Sequence, residues 1–206
     1  MKLMMFSDFI CPFCYIGFET VRKLKPEFDL KLEWRGFEIH PDWPLDGMPA
    51  QNFHRGASAE ERRAAWSRIE AMANAIGLEM KPPAMLYNSH AALEAAEFAC
   101  ELGLGEQFEE RVYRAYFWEG RNIANRALLS ELAAELGIDC RAMDEALKSG
   151  KYSLKLKNNA LAANQRGVGG VPTFFLGDFP LIGAQSEDVM RLVLSRARER
   201  MASIEA

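Results

Sequence analysis

The sequence predicts an α/β protein in which a β-α-β opening and a β-β-α ending flank a block of helices. Three observations predict it. An apolar strand runs straight into a helix at the N-terminus, the middle of the chain is helical in periodicity, and strand-and-turn texture returns after Gly167-Val168-Gly169-Gly170.

Lys2-Leu3-Met4-Met5-Phe6 reads as a short buried strand, and Pro12 to about Lys25 as a helix that ends before Pro26. From Asp29 to Arg35 the side chains alternate, with Leu30, Leu32 and Trp34 on one side and Lys31, Glu33 and Arg35 on the other, the period of a half-buried strand. Strand, helix, strand in this order implies parallel pairing. Phe37 to about Ala57 holds Pro41, Pro44, Gly47, Pro49 and Gly56, so it reads as an irregular connection. Ser58 with Glu60 and Glu61 starts a helix that Trp66, Ile69, Met72, Ala73 and Ile76 continue to Gly77. Further helices follow from Asn88 or Ser89 to Leu102, about Glu106 to Trp118, Asn125 to Leu136, Asp139 to Leu147 and Tyr152 to Gln165. Pro172 to Leu176 reads as a strand, Gly177-Asp178 as a tight turn and Leu181-Ile182 as the return strand. A last helix starts near Ser186, with Glu187 and Asp188 where the dipole favours acids, and runs to about Ala202. The expected division is residues 1–57 and 151–206 as two halves of one α/β domain and 58–150 as a helical insertion.

With 206 residues and a net charge of −4, the chain can bury a sizeable core. It carries no run of like charge that would mark a nucleic-acid arm or a polybasic membrane patch, so neither nucleic acid nor membrane is an expected partner. The apolar run Leu3-Met4-Met5-Phe6 is cut by Ser7 and Asp8, short of the roughly 7–15 residues of a signal core. A cytoplasmic protein is expected.

In that compartment ordinary thiols stay reduced, and the four cysteines point to chemistry more than to structural disulfides. Cys11 and Cys14 form a tight pair directly after a strand and at a helix start, whereas Cys100 and Cys140 stand alone and read as small apolar core residues. Three residues on a helix is a rotation of about 300°, so the paired sulfurs share nearly one face. Cys11 sits where unpaired N–H groups and the helix dipole stabilise a thiolate, and Pro12 suits the first turn. This assigns Cys11 as the exposed, attacking thiol and Cys14 as the deeper, resolving one. A zinc site is the competing use of such a pair. It lacks a second pair here, and His40, His54 and His90 show no ligand spacing, so no metal is expected.

The segment from Asp8 to Gly17, Asp-Phe-Ile-Cys-Pro-Phe-Cys-Tyr-Ile-Gly, with Gly170-Val171-Pro172-Thr173-Phe174 far downstream, resembles the DsbA family of thiol–disulfide oxidoreductases. Tyr116 to Ile123 and Gly183-Ala184-Gln185 make the likeness closest to its FrnE-like branch, and the order of elements is then the thioredoxin fold with a helical insertion. The resemblance implies a Cys11–Cys14 couple that exchanges with protein or small-molecule disulfides. It further implies a cis Pro172 against that pair, with Val171 presenting backbone groups to substrate and Pro12 and Phe13 beside it. No prosthetic group is implied, although glutathione is a co-substrate to consider, and the recycling partner is undefined. Phe13 stands where strongly oxidising members have His, which removes a group able to stabilise the Cys11 thiolate. Asp8 is a candidate for proton transfer, weighed against an exposed strand-end carboxylate, the reading favoured for it; His90 is read as a surface helix-start residue rather than a ligand in the groove. The aromatic cluster Tyr113, Tyr116, Phe117 and Trp118 is read mainly as core. Glutathione-dependent isomerases of the 2-hydroxychromene-2-carboxylate type and kappa-class transferases share the architecture and supply the alternative function.

Overall fold

A computed structural model describes residues 1–53 and 56–205, apart from the side chains of residues 201–205; His54 lies outside the described residues. Strand β1 (Lys2–Ser7) leads into helix α1 (Pro12–Phe28), which returns to strand β2 (Lys31–Gly36). Strands β5 (Thr173–Leu176) and β6 (Phe179–Ile182) form the closing hairpin, followed by helix α9 (Glu187–Glu205). The sheet order is β2-β1-β5-β6, with β1 parallel to β2 and the remaining neighbours antiparallel. Leu3 pairs with Leu32, and Met5 with Trp34 on one side and Phe174 on the other, so the two chain ends share one central strand.

Between β2 and β5 lie α3 (Ala59–Ala75), α4 (His90–Glu101), α5 (Gly105–Phe117), α6 (Arg126–Glu135), α7 (Cys140–Lys148) and α8 (Lys151–Gln165). Side-chain caps set several of their starts. Ser58 and Glu61 make a capping box on α3, with the Ser58 hydroxyl accepting Glu61 N–H at 3.1 Å. Asn125 caps α6 and Asp139 caps α7 in the same sense. Phe108, Val112, Tyr113 and Phe117 of α5 are fully or almost fully buried, together with Leu93, Ala96 and Ala99 of α4, in one core continuous with β1 and α1.

Three local expectations are corrected. Helix α1 continues through Pro26 to Phe28 and ends at Asp29, whose φ of 47° is left-handed, with Leu30 N–H closing on Lys25 O at 3.1 Å. The proline removes one intrahelical hydrogen bond, but only a turn from the end, and the extra turn buries Phe28. The irregular stretch after β2 contains a two-residue strand β3 (Met48–Pro49) and a short helix α2 (Ala50–Phe53). Strand β3 pairs with β4 (Met85–Leu86), and strands this short leave no period to read. Strand β6 begins at Phe179, immediately after the Gly177-Asp178 turn, not at Leu181.

Gly17 sets how closely α1 approaches the returning strand. A Cβ there would lie 2.9 Å from Phe174 Cζ and 3.4 Å from Pro172 Cγ. The bare backbone thus lets the cysteine-bearing helix settle on the start of β5. Among the described residues no helix is long and apolar enough to cross a membrane.

Candidate active site

Cys11 is the N-cap of α1 and Pro12 occupies the first turn, so the helix opens on the cysteine pair. Cys14 and Tyr15 direct their N–H groups at Cys11 O, at 3.0 and 3.3 Å. All four cysteines are free thiols. Cys11 keeps 7% of its surface, against 0% for Cys14, so the thiol expected to be exposed is buried, with only a small residual exposure. The cause is the downstream segment: the Cys11 sulfur sits 3.6 Å from Val171 O, and the Val171–Pro172 bond is cis.

The electrostatics separate the two sulfurs. The thiol of Cys14 hydrogen-bonds the Cys11 sulfur and lowers the Cys11 pKa, helped by the backbone N–H groups of Cys14 and Phe13 and opposed by burial and the Asp8 charge. Burial pushes the Cys14 thiol well above its ordinary value, and the neighbouring Cys11 adds to that. The arrangement favours a Cys11 thiolate against a Cys14 thiol. Phe13 is 38% exposed and holds its ring at the surface beside Cys11.

The reading of Asp8 as an exposed carboxylate is overturned. Asp8 is fully buried, and its oxygens accept N–H groups from Ile39 at 2.8 Å and Ile10 at 3.3 Å. The connection after β2 folds over the end of β1, and burial raises the Asp8 pKa to about 6 despite those two donors. Beneath the pair lies a group of hydroxyls that the sequence did not reveal. Ser7 Oγ and Tyr113 Oη are 2.6 Å apart, and Tyr113 Oη also donates to Asp8 O at 3.5 Å. A polar residue ending an otherwise apolar strand was the one available signal for Ser7; nothing local marks its partner 106 positions away.

His90 is half-buried and not a plain surface residue. Its ring meets Glu38 at 2.9 Å and Glu94 at 3.6 Å, and these partners, Glu38 first, raise its pKa to about 10. Cys100 and Cys140 are partly exposed and hydrogen-bonded, not apolar core. Cys100 Sγ donates to Glu109 at 3.3 Å and Cys140 Sγ to Ser130 O at 3.0 Å, and burial pushes the Cys100 thiol far up. Tyr113, Tyr116 and Phe117 are core, while Trp118 sits near the surface under the Lys81 ammonium, 3.9 Å from its ring centre.

A family model described as the DSBA-like thioredoxin domain matches residues 2–195. The chain belongs to that family. The chain is 28% identical over 200 residues to the uncharacterized protein YwbO of Bacillus subtilis, covering 95% of this chain and 96% of that one. The probable DsbA oxidoreductase SCO1869 from Streptomyces coelicolor superposes with a TM-score of 0.88 at 26% identity, covering 97% of this chain and 90% of that one. A 2-hydroxychromene-2-carboxylate isomerase shares the fold, with a TM-score of 0.80 at 21% identity over 100% of both chains. The DSBA-like thioredoxin fold with helices between its halves is thus shared by proteins whose names imply different reactions.

Proposed function

We propose that the protein is a thiol–disulfide oxidoreductase in which Cys11 attacks and Cys14 resolves. The observation that carries this reading is the contrast within one pair: a helix-capping Cys11 that keeps a small residual exposure and has a lowered pKa, hydrogen-bonded by a fully buried Cys14 whose pKa is raised. The Cys11 thiolate attacks one sulfur of R–S–S–R′, R′–S⁻ departs, and a Cys11–S–S–R bond forms. Cys14 then attacks the Cys11 sulfur and R–S⁻ leaves, taking in effect the proton that Cys14 gives up. The substrate gains two electrons and the pair becomes a disulfide, which a dithiol or two glutathione molecules must reduce again.

In this reading Pro12, Phe13, Val171 and Pro172 form the surface for the substrate chain. Val171 O, already within reach of Cys11, is a backbone acceptor for an extended segment. Asp8, buried behind the pair with a pKa near neutrality, suits proton transfer to or from Cys14. The reading includes the FrnE-like branch, the cytoplasm as compartment and glutathione as a co-substrate, all carried by the sequence. The alternative is a glutathione-dependent isomerase or kappa-class-like transferase, kept because an isomerase shares the fold end to end. Turnover of a model protein disulfide by the wild type and by Cys11→Ser separates them. Loss of exchange in the variant supports redox chemistry; exchange that survives, or glutathione-dependent isomerisation that survives, refutes it.

A further inference from the structure

The Cys14 sulfur is enclosed, and resolving a mixed disulfide requires it to become an anion there, which is costly without donors aimed at it. Two donors are in place. Asp8 N–H points at Cys14 Sγ from 3.5 Å, and the hydroxyl of the preceding residue, Ser7, favours the Cys14 thiolate as a hydrogen-bond donor. Ser7 is not free to turn away, because its oxygen is 2.6 Å from Tyr113 Oη. Tyr113 is itself clamped: its ring stacks on Tyr15 at 4.9 Å and 6°, meets Phe9 edge-on at 4.9 Å, and touches Phe18 at 5.5 Å. Burial holds its phenol neutral across the working pH range, so it always has a proton to donate. Its second neighbour is Asp8 O at 3.5 Å.

From this geometry we infer that Ser7 and Tyr113 form a reversible hydroxyl relay that serves the resolving thiol in both of its protonation states, Tyr113 acting as a positioning residue through Ser7. The inference rests on the redox reading of the cysteine pair. In the mixed disulfide, where Cys11 is no longer a thiolate that draws the Cys14 proton, a Cys14 thiol donates its S–H to Ser7 Oγ, Ser7 donates to Tyr113 Oη, and Tyr113 donates to Asp8 O. With Cys14 as a thiolate, both hydroxyls rotate: Tyr113 donates to Ser7, and Ser7 donates to the sulfur. No proton crosses the pair of hydroxyls; the dipoles reverse, and each buried group keeps a partner in either state. The proton lost by Cys14 ends on the departing R–S⁻, and the electron pair of the broken S–S bond leaves with it.

The test uses the full chain and a Cys11–glutathione mixed disulfide. Two rates are followed, its formation by Cys11 and its resolution by Cys14, together with the pH midpoint of resolution. Ser7→Ala is expected to slow resolution about tenfold and move its midpoint upward while leaving formation unchanged, since a hydrogen bond to a charged group is worth about that factor. Ser7→Thr keeps a hydroxyl and is expected to restore both. Tyr113→Phe keeps the clamped ring, guards against a Ser7 variant that does not fold, and is expected to shift the midpoint the same way by less. An unchanged midpoint in Tyr113→Phe, or equal slowing of formation and resolution in Ser7→Ala, overturns the relay. Absence of any Cys11 mixed disulfide in the wild type would instead overturn the redox reading beneath it.

Discussion

The sulfur of Cys11 lies 3.6 Å from the carbonyl oxygen of Val171, although 160 positions separate them in the chain. The contact depends on β1 and β5 being neighbours in the sheet, and so on the helical block leaving the two halves free to pair. Gly17 completes it by letting α1 settle against Phe174 and Pro172. The same contact covers Cys11, which keeps only 7% of its surface.

Alkylation should therefore be selective. Iodoacetamide at neutral pH is expected to label Cys11 first, because Cys11 combines a lowered pKa with residual exposure, whereas Cys14 is enclosed with a raised pKa and Cys100 is held far up by burial. Mass mapping over a time course checks the order. Earlier labelling of Cys100 or Cys140 would remove Cys11 as the attacking thiol.

The α/β framework was legible because Lys2–Phe6, residues 29–35 and Pro172–Leu176 carry strand patterns and the residues between them carry helical ones. The cysteine pair was legible because its spacing and its place at a helix start are local. Asp8 was not, since its burial depends on the amide of Ile39 arriving from a proline-rich connection with no period. Nor was the Ser7–Tyr113 contact, in which a strand end meets a distant helix. Pro26 misled because local propensity favours a stop there, while the tertiary gain lies in the next turn at Phe28.

His90 should stabilise the fold as a cation. Its folded pKa of about 10 lies above the ordinary 6.5, because Glu38 and Glu94 hold the protonated ring. The contribution is fully present below about 6.5 and is lost as pH rises through about 10. The side chain is 39% exposed, so solvent screening reduces the effect to about 1 kcal/mol. His90→Gln is expected to lower the urea midpoint near pH 6, with the gap closing toward pH 11. A constant gap across that range would show that the ion pairs are not its source.

Glu109 should destabilise the fold when it is charged. Burial raises its pKa from 4.5 to about 8, so the folded state keeps a proton that the unfolded chain has released. Stability is then lost as pH rises from about 4.5 through about 8. Glu109→Gln keeps an acceptor for Cys100 and removes the charge, and is expected to be near neutral at pH 4 and stabilising by on the order of 3 kcal/mol at pH 9. Denaturation at the two pH values decides it; equal stability of variant and wild type at the higher pH would mean that the carboxylate finds solvent.

The redox potential is the sharpest test of the residue between the cysteines. Phe13 brings neither charge nor a side-chain donor to Cys11, and its backbone N–H is its one contribution to the thiolate. The reduced state lacks the extra stabilisation that makes a strong oxidant, so the Cys11–Cys14 couple is expected nearer about −270 mV than about −120 mV. Phe13→His supplies a donor that can carry positive charge, at a position open enough to accept an imidazole. Lowering the Cys11 pKa by about one unit corresponds to about 1.4 kcal/mol, or about 30 mV for two electrons, in the oxidising direction. Equilibration of wild type and variant against defined glutathione ratios, followed by trapping of free thiols, measures both potentials. A wild-type couple at or above about −120 mV, or a Phe13→His couple that does not move upward, would show that this side chain does not set the balance.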